Sequence, residues 1–115
     1  MYVIINNDLK MDKGKAIAQA CHAVEIATEK LLTSMFESTG SDQQFIDYHK
    51  YKMSGRRKIV LKGTQSQLEE MSKQPDAVHV IDAGYTQVPE NSLTAVAFYP
   101  SKNNKERFAG FKLLN

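Results

Sequence analysis

The sequence predicts an α/β fold: a mixed four-stranded β-sheet with helices on both faces, built by residues 1–115 as a single compact domain. Three observations carry this expectation. Short runs rich in β-branched and aromatic residues begin at Tyr2, Lys58, Ala77 and Leu93. The first three are separated by segments of helical period, as in parallel α/β units. Only Ala83 to Ser92 separates the last two, which is too short for a helical crossover, so those two strands pair antiparallel.

Taken in order, Tyr2 to Asn6 is apolar at consecutive positions, the mark of a strand covered on both faces and hence central in the sheet. Asp12 caps the helix that follows, which runs from about Lys13 to Phe36 at most. On a helical wheel Ile17, Ala20, Cys21, Val24, Ala27, Thr28 and Leu31 form an apolar stripe, expected to pack on the sheet. Lys15, Gln19, His22 and Ile26 then face outward. Gln43 to Met53 is a second, shorter amphipathic helix, and Gly55 to Arg57 is the turn into the strand Lys58–Lys62. A brief helix follows through Leu68 and Met71, with Thr64 or Ser66 as its cap and Pro75 beyond its end. Strands Ala77–Asp82 and Leu93–Tyr99 complete the sheet, and Pro100 closes the last one. Ser101 to Arg107 reads as a polar loop. Phe108 to Leu114 returns an apolar tail to the body, with a short extra strand as one form it can take.

Composition excludes several classes. The 15 Lys and Arg exceed the 13 Asp and Glu by two, too few to indicate nucleic-acid binding from net charge alone. Their distribution says more, because Lys10, Lys13 and Lys15 cluster, as do Lys50, Lys52, Arg56, Arg57, Lys58 and Lys62. Cys21 is the one cysteine, so no intrachain disulfide forms, and its place on the apolar stripe reads as a buried, inert thiol. His22, His49 and His79 lack metal-ligand spacing, and no metal site is expected. The opening residues have neither a basic flank nor an apolar run long enough for a signal peptide or membrane span, so a cytoplasmic protein is expected.

The chemistry gathers in two polar clusters, each at the end of an apolar strand. One lies on the first helix with Lys15, Gln19 and His22; the other is Asp82 to Gln87. Two such clusters can meet in space. Asp82 before Ala83-Gly84 allows a tight backbone, where the carboxylate orients a water, pairs with Lys15, or serves only as a turn residue. An ammonium beside it stabilises negative charge developing on a carbonyl oxygen. Thr86 supplies a hydroxyl four residues on. No nucleophile elbow, dinucleotide turn or phosphate-binding loop of glycine-rich type is present.

Five motifs in order carry a resemblance. They are Asp8-Leu9-Lys10-Met11 with Lys13-Gly14-Lys15, Ala18-Gln19 and His22-Ala23; Lys58 to Lys62; Asp82-Ala83-Gly84 with Thr86-Gln87; Ser92 with Thr94; and Gly110 with Lys112-Leu113-Leu114. In these the chain resembles the archaeal and eukaryotic (type II) peptidyl-tRNA hydrolases from Tyr2 to its end. The resemblance implies a small, metal-independent enzyme without organic cofactor, hydrolysing the ester between a peptide and the 3′-terminal ribose of tRNA. It implies catalytic roles for Lys15, Asp82 and Thr86. Substrate contacts fall on Gln19, His22, Lys58, Ser92 and Thr94. The implied partners are peptidyl-tRNA and a second copy in a homodimer, with no membrane and no DNA.

The sequence departs from the family pattern at several places. Asp12 stands where a glycine is usual, Tyr85 where the loop carries arginine, Pro89-Glu90-Asn91 where Ala-Pro-Gly precedes the serine, and Tyr51 where the second helix has tryptophan. The segment from Lys62 to Asp82 is also shortened. These bear on substrate affinity and tRNA specificity, and they set the alternative: a tRNA- or protein-binding module on the same fold with little esterase activity. Joint retention of Lys15, Gln19, Asp82 and Thr86 favours the enzyme. With the two lysine-rich patches as its phosphate contacts, tRNA binding should weaken with salt. Each contact adds roughly 0.7–0.9 to the slope of log affinity against log salt, read in a titration of the wild-type chain.

Overall fold

In the computed structural model, which describes every residue of the chain except Thr86, the chain runs β1 (Tyr2–Asn6), α1 (Lys13–Phe36), α2 (Asp42–Met53) and β2 (Ile59–Gly63). It continues through α3 (Gln65–Met71), β3 (Ala77–Asp82), β4 (Ser92–Phe98), α4 (Asn104–Arg107) and β5 (Lys112–Leu113). The strands form one sheet of order β3-β4-β1-β2-β5. β1 occupies its centre, parallel to β2 and antiparallel to β4, and β3 pairs antiparallel with β4. The mixed α/β architecture follows the expected one, with one correction: the sheet has five strands rather than four. The fifth, Lys112–Leu113, pairs antiparallel with β2 through Leu61 and Lys62. It lies in the tail from Phe108 to Leu114, for which a short extra strand is one expected form, although two residues are too few for side-chain alternation to fix it. Likewise Asn104–Arg107, read as loop, forms one helical turn.

The three inner strands β1, β2 and β4 alternate between two cores, and β3 adds Val78 and Val80 to the first. Val3, Ile5, Val78, Val80, Ala95 and Ala97 face α1 and α2. Ile4, Leu61, Leu93, Val96 and Phe98 face Leu68 of α3 and Phe108 after α4. Helices therefore cover both faces. Ser41 and Thr64 begin α2 and α3 with reciprocal caps, each hydroxyl accepting an N–H while Gln44 and Gln67 return a bond to the cap. On the C-terminal side Arg107 forms a paired contact with Asp76 at 2.6 and 2.9 Å and lies over the rings of Phe98 and Phe108. Among the described residues no helix is long and apolar enough to cross a membrane.

The face that α1 turns to the sheet differs from the expected stripe. Its buried residues are Ala16, Gln19, Ala23, Ala27 and Leu31. Ile17 and Cys21 are exposed instead, and with Val24 they line an apolar groove of about 500 Å³ between α1 and β2. The buried, inert cysteine expected from the wheel is thus corrected to an exposed one. Weighting the wheel by side-chain size misplaced the face, because the row of alanines is what lets the helix lie close to the strands.

Asn6 ties the C-terminal end of β1 to its neighbours from a fully buried position. Its Nδ2 donates to the Leu93 carbonyl at 2.9 Å and to Gln65 Oε1 at 2.6 Å, while its Oδ1 accepts the Asp8 N–H at 3.0 Å. Asn6→Ala should lower stability by about 1–3 kcal/mol, since it strands a buried carbonyl without a donor. Urea denaturation of the variant reads this directly.

Candidate active site

β3 presents Val78, Val80 and, two residues further, Asp82 on its α1 side. Lys15 and Gln19 are one turn apart near the start of α1, so both reach the same carboxylate. Lys15 Nζ donates to Asp82 Oδ2 at 2.6 Å, and Gln19 Nε2 donates to the same oxygen at 3.2 Å. The Gly84 N–H donates to Oδ1 at 2.6 Å. The Gln19 carbonyl oxygen accepts the Thr94 hydroxyl at 2.5 Å. A continuous line of hydrogen bonds thus runs from Thr94 through Gln19 to Asp82 and Lys15.

A bulge puts Thr94 in that line. In the β3–β4 ladder Val80 pairs with Ala95 and Ile81 with Leu93, so Thr94 is the extra residue of β4. Counting back from Phe98, strict alternation would aim residue 94 at the opposite face. The bulge resets the phase, placing Thr94 on the α1 side and Leu93 in the other core.

The loop after β3 is held as closely. Gly84 has φ +83°, and a Cβ there would lie 2.5 Å from backbone atoms of Glu90, so this turn requires glycine. The Asn91 N–H closes it on the Asp82 carbonyl at 2.8 Å. Gln87 then clasps Asp12: its amide donates to Asp12 Oδ2 at 2.6 Å, and the Asp12 N–H donates to Gln87 Oε1 at 2.9 Å. Asp12 also caps α1 through the Lys15 N–H at 3.0 Å. The acid that departs from the family pattern is therefore structural, joining helix and loop.

Together Lys15, Gln19, His22, Val80, Asp82 and Tyr85 line an open cleft of about 370 Å³. Gln19, expected to face outward, is instead 3 % exposed beneath the pair. His22 is exposed at the rim. Ser92 is paired with Asp82 in the ladder, yet its hydroxyl turns away to the Pro89 carbonyl at 2.5 Å. Thr86 lies outside the described residues. Lys58 is not brought to the cluster: it precedes β2 at the other end of the sheet, where its ammonium donates to the Arg56 carbonyl and lies over the Tyr51 ring. Sequence reasoning missed the Gly84 N–H, the Gln87–Asp12 clasp and the bulge. Asp82-Ala83-Gly84 carries the turn signal that foreshadows the first; nothing local announces the other two.

The two lysine-rich patches also separate. Lys10 and Lys13 are exposed around the start of α1 beside the cleft. Lys50 and Arg57 join Lys102 and Lys105 around a hollow of about 360 Å³ at the Met1 end of β1. None of these six is ion-paired among the described residues. Among the same residues no group of three or more His, Cys, Asp or Glu is placed to hold a metal ion.

The Lys15 ammonium first, and the Gly84 N–H next, hold the Asp82 carboxyl below its ordinary value of 3.8. The Lys15 N–H, followed by the Gln87 amide, does the same for Asp12. A carboxyl whose folded value is lowered stabilises the fold at pH above its unfolded value, and the contribution is lost as pH falls through the folded value. Urea midpoints of wild type should therefore fall more steeply as pH drops below the ordinary carboxyl value than those of Asp82→Asn or Asp12→Asn.

A family model described as peptidyl-tRNA hydrolase PTH2 matches residues 1–114. A protein named peptidyl-tRNA hydrolase from Methanococcus maripaludis strain C7 is 36% identical over 109 residues, covering 90% of this chain and 86% of its own. Another of that name from Staphylothermus marinus is 32% identical over 109 residues, 90% of this chain and 83% of its own. A third, from Methanocaldococcus jannaschii, is 30% identical over 112 residues, 91% and 89% of the two chains.

Proposed function

Because the chain belongs to the peptidyl-tRNA hydrolase PTH2 family, we propose that its cleft hydrolyses the ester joining a peptide to the 3′-terminal ribose of tRNA. The observation that carries this reading is the Lys15–Asp82 pair, 2.6 Å apart, with side chains 14 % and 9 % exposed at the floor of an open cleft. A purely structural ion pair would not need to lie where a substrate can reach it.

In the proposed reaction Asp82 holds the attacking water and Lys15 faces the ester carbonyl. Water adds to the carbonyl carbon, and the oxyanion so formed is stabilised by the ammonium. The carbon–oxygen bond to the ribose then breaks; one proton of the attacking water ends on the 3′-oxygen, the other passes to solvent, and the peptide leaves as its carboxylate. Asp82 is a weak base in this setting, since its partners favour the ionised form; its contribution is orientation more than proton abstraction. Gln19 and Thr94 fix the carboxylate from behind. Thr86 retains the hydroxyl role that the sequence suggests, and His22 at the rim is available to the incoming substrate. Lys58, remote from the cleft, is assigned to tRNA phosphates with the other cations of its end. The homodimer is carried as an expectation that sedimentation analysis reads.

Asp82→Asn keeps the shape and removes the charge. Hydrolysis should fall ~100-fold or more, with KM changed little, when release of free tRNA from peptidyl-tRNA is followed. Near-normal hydrolysis by the folded variant would remove Asp82 from the chemistry. Wild-type protein that binds peptidyl-tRNA without releasing tRNA would favour the binding module instead.

A further inference from the structure

One wall of the cleft is apolar and belongs to no step above. Tyr85 is 93 % exposed while lining the cleft, and Ile81 beside it is 48 % exposed. Among the described residues no aromatic ring or cation lies against Tyr85. A single exposed ring is ordinary on a protein surface. This one differs in how its backbone is fixed. Gly84 immediately before it packs against Glu90, the Asn91 N–H closes the loop on Asp82, and Gln87 two residues later is clasped by Asp12. The ring directly follows the fixed Gly84 turn and borders the cleft beside Asp82, with little of it covered.

We infer that Tyr85 is a stacking platform for the base of the 3′-terminal nucleotide whose ribose carries the ester. The inference rests on the hydrolase reading. If the ester carbonyl sits at Lys15 and Asp82, the attached base lies one sugar away, within reach of the cleft wall. A flat, uncharged ring there recognises any base by its face, contributes without hydrogen-bond readout, and is not screened by salt as a phosphate contact is. Being made equally in the ground and transition states, the contact acts on KM and leaves kcat nearly unchanged.

The test compares Tyr85→Ala and Tyr85→Phe with wild type. Tyr85→Ala should raise KM for peptidyl-tRNA roughly 5- to 150-fold with kcat within about twofold, while Tyr85→Phe stays near wild type. On a peptidyl-tRNA whose terminal nucleotide lacks its base, wild type and Tyr85→Ala should have equal KM. An unchanged KM for Tyr85→Ala overturns the inference. So does the same KM loss on the abasic substrate, which would assign the ring to the peptide or to the loop. Binding of a short single-stranded RNA with a free 3′ end, followed by fluorescence anisotropy, separates this from the hydrolase reading. Weaker binding by Tyr85→Ala supports the platform even if wild type releases no tRNA. Equal binding by both proteins, with wild-type hydrolysis intact, rejects the platform and leaves the enzyme standing.

Discussion

The Asp82 carboxylate is the point on which the other parts depend. It accepts from Lys15 and Gln19 of α1 on one oxygen and from the Gly84 N–H on the other. Through Gln19 it reaches Thr94 of β4. One helix, two strands and a loop thus meet at a single anion. A charge taken largely out of water is tolerated only while its partners stay in place, so none of the four elements can shift without cost. Cap, clasp, bulge and glycine turn are the devices that keep them from shifting.

The same partners limit what the carboxylate can do. Donors that favour the charged form make a poorer proton acceptor. In the proposed hydrolysis such an arrangement would act electrostatically, through a charge and dipoles held in place before the carbonyl oxygen gains charge. Gln19 serves that end from beneath the surface. It cannot drift towards water, because its two polar ends are occupied by Thr94 and Asp82 and the residue is buried.

Much of this was readable from local chemistry, and the unreadable parts have a common cause. Strand and helix positions follow from β-branched runs, caps and breakers; Tyr2–Asn6 as the central strand follows from its unbroken apolarity. The meeting of Lys15 with Asp82 could be anticipated from two polar clusters at strand ends. The helix face was misjudged because alanines carry little hydrophobic weight in a wheel yet decide how near a helix can come. Cys21 was misplaced for the same reason, and Gln19 was read as outward because its burial requires a partner on another element. The bulge at Thr94 and the Gln87–Asp12 clasp arise between segments distant in the chain, where no periodicity speaks. The fifth strand is too short to have a period at all.

The alanine face of α1 acquires a second meaning from this geometry. Ala16, Ala23 and Ala27 lie in the core between α1 and the sheet, where they set the gap between the helix axis and the strands. Larger side chains there would prise the helix outward, and the ends of Lys15 and Gln19 would move with it. These positions work as spacers whose thickness is measured at the carboxylate. Natural drift at them is then limited by more than core volume: a sequence could repack the core around a valine, regain its stability, and still shift Lys15 and Gln19 relative to Asp82.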